Sequence, residues 1–279
     1  MRKAEEFFFR ILMIAATALI AGSFLLIIFT VVKKGLPAMN LDMITKTPEG
    51  GFYIGKEGGV LNCIIGSLYL SLGASALALI IAFPVVIFLN VYAKGSSHFV
   101  KFTRLCFDVM FGIPSIVYGA FGFTIMIFFG MKASLLGGII AVALLVLPVM
   151  VRAMDEVMRN APKELLDASY SLGATRFEAS KILIRQCVPG ILTAILLSFG
   201  RAIGDAASVM FTAGFSDNIP TSLHDPAPTL PLAIFFQLSS PVPEVQARAY
   251  ASALILTVIV LVISIAARLL TRRFSKNRI

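Results

Sequence analysis

Residues 161–183 read "APKELLDASYSLGATRFEASKIL", and the reading of this stretch decides the rest. Pro162 suits a helix start, where its missing N–H is no loss. From Lys163 to Ser171 the residues are good helix formers. Leu165, Leu166, Ser169 and Leu172 make an apolar-to-small stripe at helical spacing. Gly173 stands where a helix ends in a left-handed residue. Thr175 with Glu178 is a capping box that opens a second helix. The stretch is helix, glycine turn, helix. A plain surface elbow would not need the leucines, whereas an apolar stripe on a short helix calls for something to bury it, and a groove on a partner protein would do so.

The flanks show what this two-helix projection is attached to. The 279 residues are 58% hydrophobic and 14% charged, with a mean hydropathy of +0.91. Soluble domains are nearer 45–50% apolar and about 25% charged. Six runs are long enough to cross a hydrocarbon core of about 30 Å. They lie at about Ile11–Val32, Asn62–Tyr92, Val109–Phe129, Ser134–Val151, Val188–Ala213 and Arg248–Leu270. Pro84, Pro114 and Pro148 sit inside runs two, three and four and invite kinks. The expectation is an all-α integral membrane protein with six transmembrane helices. "MRKAEEFFFR" resembles the basic start of a signal peptide, but the run after it is too long and "KKGLP" offers no small-residue cleavage site, so the first run reads as a retained span.

Lys and Arg are distributed unevenly. Seventeen fall at the N-terminus, in 94–104, in 152–187 and from Arg268 onward, and only Lys33, Lys34, Lys46, Lys56 and Lys132 fall on the opposite side. The positive-inside rule then puts both termini in the cytoplasm. The net charge of +9 follows this topology and needs no nucleic-acid partner. Cys63 lies near the outer face, Cys106 and Cys187 near the inner one, so no pair is placed to bridge, and no metal-ligand spacing appears. "GGFYIGK" at 50–56 matches a phosphate-cradling loop by letter only. Glu57 stands where Ser or Thr is needed, and no strand precedes it. The 214–247 loop has six prolines and no Lys or Arg, and its "TLPLAIFFQL" is apolar enough to lie in the interface or dip into the protein.

One feature looks out of place in lipid. Arg201 and Asp205 lie inside the fifth run, where each ionised side chain costs about 2.5–3.5 kcal/mol at a helix centre. In one helix, Ala194, Ser198, Arg201, Asp205, Ser208 and Thr212 would share a face, with Gly200 and Gly204 beside it to admit a close neighbour. Either Arg201 and Asp205 neutralise each other at i, i+4, or Arg201 lines a path and offers its guanidinium to a tetrahedral oxyanion while Asp205 orients it and competes. Ionisable groups within spans favour the path role. Ser115 and Tyr118 share a face of the third run and could meet a substrate, or satisfy carbonyls freed by Pro114.

Several ordered motifs resemble a known family. "LLDASYSLGA" from Leu165 to Ala174 resembles the cytoplasmic Glu-Ala-Ala…Gly motif of ABC-importer permeases, with Asp167, Ala168, Ser169 and Gly173 in its places. "GIPSIVYG" at 112–119, "LPVMVRAMDEVMRNAPKEL" at 147–165, "GRAIGD" at 200–205 and "PTSLHDPAPTLPLAIF" at 220–235 resemble the phosphate permeases of the PstA type. The chain departs from the motif in Asp167 for Glu, and in Arg185 and Gln186 where a Leu-Pro pair is usual.

The resemblance implies a type I ABC importer permease fold with a cytoplasmic coupling helix. Residues 1–10 would be a cytoplasmic N-terminus, 11–271 the permease domain with the coupling loop at 152–187, and 272–279 a cytoplasmic C-terminus. It implies a subunit that moves inorganic phosphate inward across a prokaryotic cell membrane, the alternatives being another oxyanion such as molybdate or sulfate, or a stand-alone secondary transporter. The chain would not be an enzyme and would hold no cofactor, because ATP and magnesium belong to two cytoplasmic ATPase subunits. A second permease of the PstC type and an extracytoplasmic phosphate-binding protein would complete the assembly. The ATPase contact would fall on Leu165, Leu166, Asp167, Ala168, Ser169, Gly173 and Ala174. The path would include Arg201, Asp205, Ser198, Ser208, Ser115 and Tyr118.

Overall fold

The computed structural model describes residues 2–49, 57–93 and 97–275, so the 50–56 match, Lys94 and the 276–279 tail lie outside the described residues. In chain order the helices are α1 (Arg2–Gly35), α2 (Leu41–Thr45), α3 (Leu61–Ile87), α4 (His98–Gly112), α5 (Ser115–Phe128), α6 (Leu135–Arg159), α7 (Lys163–Ser171), α8 (Arg176–Gly204), α9 (Val209–Thr212), α10 (Leu230–Leu238) and α11 (Pro243–Ser275). α1, α3, α6, α8 and α11 are each long and apolar enough to cross a membrane, and α4 with α5 makes a sixth span if that bent pair counts as one.

The centre is a bundle of α3, α6 and α8. On α3, Leu70, Ala74, Ala78, Ala82 and Val86 recur every four residues and are all buried. They face Val142, Leu145, Val146 and Met150 of α6. The alanines and Gly138 of α6 let the backbones approach closely, which matters where lipid supplies no hydrophobic drive between helices. A Cβ at Gly138 would come within 2.8 Å of Leu70 Cδ1. α1 lies outside this core, against α11.

Two expected spans are corrected. The third run is not one helix from Val109 to Phe129. α4 ends at Gly112, α5 begins at Ser115, and they meet at 99°. Pro114 supplies no N–H and holds Ile113 extended (φ −72, ψ 130), so the turn breaks instead of kinking. The fifth run is also broken. α8 begins at Arg176, already inside the stretch taken for a loop, and stops at Gly204; Asp205 is extended (φ −79, ψ 126) and only the four-residue α9 follows. Pro84 and Pro148 stay within unbroken helices. Five residues of π-helix, Phe88–Tyr92, follow the turn that Pro84 disturbs.

The chain between α9 and α11 is folded, not loose. The amides of Ser134, Leu135 and Leu136 donate to the carbonyls of Thr212, Asp225 and Leu223, and Gly137 donates to Ser134 Oγ. The start of α6 is thereby satisfied from that segment. The Asp225 carboxylate accepts from the amides of Thr221 and Ser222 and from the Thr221 hydroxyl. These bonds, the Thr221 amide first, hold it below its ordinary pKa. The apolar "TLPLAIFFQL" becomes α10, with Leu230, Leu232 and Ala233 buried. It packs against α11 and the start of α3.

Candidate functional site

At one end of the bundle α6, α7 and α8 form a rigid corner. Pro162 precedes α7, and Leu172 closes it. Gly173 has φ +82, the left-handed region open to glycine. Leu172 N–H donates to Ala168 O, Gly173 N–H to Tyr170 O and Ala174 N–H to Ser169 O, at 3.2, 3.0 and 3.1 Å, so the last carbonyls of α7 are satisfied as in a Schellman turn. Directly after it, Thr175 Oγ1 accepts from Glu178 N–H while Glu178 Oε2 accepts from Thr175 N–H, the capping box expected from the sequence. α8 then runs 29 residues without interruption from this corner into the bundle.

The apolar stripe of α7 is divided. Leu165 and Leu166 are half-buried, and Leu166 packs on the chain's own core. Ser169 is buried, with its hydroxyl donating to Leu165 O. Leu172 is 89% exposed, and Tyr170 and Phe177 are exposed around it. Asp167 and Ala168 are exposed as well. The exposed side of the corner is thus Asp167, Ala168, Tyr170, Leu172 and Phe177, while Leu165 and Leu166 are partly covered by the chain. Spacing alone could not tell which leucines the chain would cover itself.

The polar face of the fifth run is also rearranged. No ion pair joins Arg201 to Asp205 among the described residues. Asp205 lies past the end of α8, and its carboxylate accepts from the Ser208 amide at 2.9 Å and from the Ser208 hydroxyl. Ser198 and Ser208 are buried; the Ser198 hydroxyl donates to Ala194 O. Arg201 is exposed on the bundle wall, its guanidinium 5.7 Å from the centre of the Phe111 ring. Ser115 opens α5 half-buried. The Tyr118 hydroxyl donates to Met110 O at 2.8 Å, across the Pro114 bend. Gly119 brings α5 so close to Ser208 that a Cβ there would lie 2.8 Å from its Cα. Of the residues singled out, Arg201 stands exposed while Ser198, Ser208, Asp205 and Tyr118 are engaged within the chain.

Sequence reading missed two cross-helix ion pairs. Arg104 of α4 grips Asp155 of α6 through Nε at 2.9 Å and Nη2 at 3.0 Å, and Asn90 Nδ2 donates to the same carboxylate at 2.8 Å. The Asp155 side chain is only 10% exposed. One turn further along α4, Asp108 meets Arg152 of α6 at 3.2 Å, both side chains half exposed. The basic and acidic positions are reversed between the two helices, Arg104 and Asp108 on one and Arg152 and Asp155 on the other. That complementarity was visible in the sequence, but only once the two helices were known to pack. A cavity of about 450 Å³ beside Arg104 is lined also by Asn90, Arg159 and Leu166.

An apolar bundle with helices of membrane-crossing length thus carries a capped corner that exposes Leu172 and a wall that exposes Arg201. The sequence comparisons give its family. The family model for the binding-protein-dependent transport system inner membrane component matches residues 91–276, and the chain belongs to that family. The phosphate transport system permease protein PstA of Xylella fastidiosa is 34% identical over 249 residues, which are 88% of this chain and 84% of its own. PstA of Yersinia pestis is 33% identical over 271 residues, 96% of this chain and 90% of its own. The probable ABC transporter permease protein YqgI of Bacillus subtilis is 30% identical over 267 residues, covering 90% and 88%. Among solved structures, an inward-facing MetNI methionine ABC transporter superposes with a TM-score of 0.65 at 17% identity, over 77% of this chain and 95% of that one. An amino acid ABC transporter gives 0.58 at 19% identity. These two share the fold. The chain is a transport-system component of the inner membrane with the type I ABC importer permease architecture.

Proposed function

We propose that this chain is the membrane-spanning subunit of an ATP-driven importer of inorganic phosphate. Carrying the reading is the likeness, over nearly the whole chain, to proteins named as phosphate transport permeases, and it agrees with Arg201 left exposed on the bundle wall without a carboxylate partner among the described residues. A guanidinium offers planar paired donors to a tetrahedral oxyanion and stays charged at any working pH. Lipid would not tolerate it there, so the Arg201 wall faces a polar path shared with a second permease of the PstC type. Ser198, Ser208, Ser115, Tyr118 and Asp205 support that wall. Asp205 fixes the break after α8 through Ser208 and so sets where Arg201 ends up.

The α7 corner docks on a cytoplasmic ATPase subunit, which binds the ATP and magnesium. Asp167, Ala168, Leu172, Gly173 and Ala174 shape the contact, Leu166 seats α7 on the bundle, Leu165 and Ser169 support it from within the helix, and both termini are cytoplasmic. Phosphate arrives from an extracytoplasmic binding protein. Rigidity is the requirement, since a loose linker would not pass ATPase closure on to the spans.

The experiment is ATP hydrolysis by the complex purified with its partners and binding protein, with phosphate, sulfate or molybdate added in turn. Stimulation by phosphate alone is expected. Stimulation by another anion would keep the architecture and discard phosphate. Arg201→Gln should abolish uptake while the complex still assembles, and normal uptake by the assembled variant would sink the path role.

A further inference from the structure

α4 carries Arg104, Asp108 and Phe111 at i, i+4 and i+7, on one face. The two charged residues meet α6 in different ways. Arg104 is held through two nitrogens, and its Asp155 partner is nearly buried and shared with Asn90. That pair is a fixed tie. Asp108 touches Arg152 through one nitrogen at 3.2 Å, with both side chains 52% exposed. A one-armed, half-exposed pair exchanges partners readily, because water and ions compete for it.

Phe111 links this second pair to Arg201. The Arg152 guanidinium lies 5.1 Å from the centre of its ring and the Arg201 guanidinium 5.7 Å from the same centre. One exposed aromatic side chain thus holds two arginines from two different helices. Their depths differ. Gly190 of α8 packs on Val157 of α6. Counting from that contact at 1.5 Å per residue, Arg152 stands about 8 Å and Arg201 about 16 Å from it. Arg152 is the nearer to the α7 corner.

We propose that Arg152 is a second station for the transported oxyanion, between Arg201 and the α7 side, with Asp108 as the resident carboxylate that the anion displaces and that then displaces it. The inference rests on the path reading of Arg201. A tetrahedral oxyanion leaving Arg201 finds the next fork of donors across Phe111. Asp108 keeps that site occupied when no anion is there and returns to it as the anion departs, so the second hold is brief. Arg104 takes no part, since Asp155 and Asn90 retain it.

The test is uptake of radiolabelled orthophosphate by the complete complex in proteoliposomes, per assembled complex, for Arg152→Gln, Asp108→Asn, the double variant and Arg201→Gln. Arg152→Gln should lower uptake about tenfold, the change expected for about 1.4 kcal/mol of lost anion contact. The double variant should stay as low, because removing Asp108 does not restore the donors. Asp108→Asn alone should need less phosphate for half-maximal uptake and turn over more slowly. Recovery of uptake in the double variant would overturn the proposal, showing that the pair merely ties α4 to α6; so would normal uptake by Arg152→Gln. Normal uptake by Arg201→Gln would remove the path reading and this inference with it, whereas loss in Arg201→Gln beside normal uptake in Arg152→Gln removes this inference alone. If Arg152→Gln does not assemble, Arg152→Lys keeps the charge but loses the paired donors. It should raise the phosphate needed for half-maximal uptake, and an unchanged value would overturn the station.

Discussion

A Cβ on Gly66 would lie 2.0 Å from the carbonyl oxygen of Pro228, a backbone atom that has no rotamer to escape into. At the next position, Ser67 Oγ accepts from the Leu230 amide at 2.8 Å, so α3 and the segment before α10 are clamped together through consecutive residues. Gly66→Ala must push that segment away. Overpacking of this kind costs about 1–3 kcal/mol. The melting temperature of the detergent-solubilised chain should fall by several degrees, at about 2–4 °C per kcal/mol for a chain of this size. Gly22→Ala, with nothing within 4 Å of its added carbon, serves as the control and should leave it nearly unchanged. Neither distinction can be read from the sequence, where both are glycines in apolar runs. The same limit hid Asp155, which reads as one more charge in a basic stretch. It becomes a buried partner of Arg104 only because α4 packs on α6. Arg201 was legible for the opposite reason, because a charge inside an apolar run stands out without any knowledge of its neighbours.

At the scale of elements, the corner from Pro162 to Glu178 was legible almost residue by residue, since helix stops and caps are local chemistry. The breaks were less so. Pro114 announced a disturbance, but whether a proline kinks a span or splits it depends on what receives the freed ends; here Tyr118 bonds Met110 O and α5 seats Gly119 on Ser208. Asp205 announced nothing, because Asp-Ala-Ala-Ser is compatible with a helix and only the bond to Ser208 turns it into a stop. The corner yields its own prediction. Gly173 has φ +82 and open space around it, so Gly173→Ala introduces backbone strain without a clash. A non-glycine residue in that conformation costs about 1–2 kcal/mol. The spans, which do not depend on this turn, should fold and insert as before. The angle between α7 and α8 should loosen instead, so phosphate moved per ATP hydrolysed should fall while assembly is retained. An unaltered ratio in the assembled variant would mean that coupling does not require a fixed angle at this turn.

The molecule as a whole is incomplete on its own terms. The most apolar window of α1 is 0% buried, against 67% for α6. α3, α6 and α8 share the main core, and α1 presents its length to lipid or to another chain. The proposed coupling requires one orientation, with the α7 corner on the cytoplasmic side. The Lys and Arg imbalance predicts that orientation, and the prediction can be checked directly. Asn218 lies exposed between α9 and α10, and Ser171 lies exposed at the end of α7. In a background with Cys63, Cys106 and Cys187 replaced by serine, Asn218→Cys should react with a membrane-impermeant maleimide in cells whose outer face is accessible. Ser171→Cys should react only after the membrane is opened. The reverse pattern would put the corner outside, beyond the reach of any cytoplasmic ATPase, and would remove the coupling role together with the import direction. Labelling of both from outside would show that the chain does not separate these segments across a bilayer. The expected pattern fixes which end of the Arg201–Phe111–Arg152 row faces the cytoplasm, and hence the order in which an inbound anion meets the two guanidiniums.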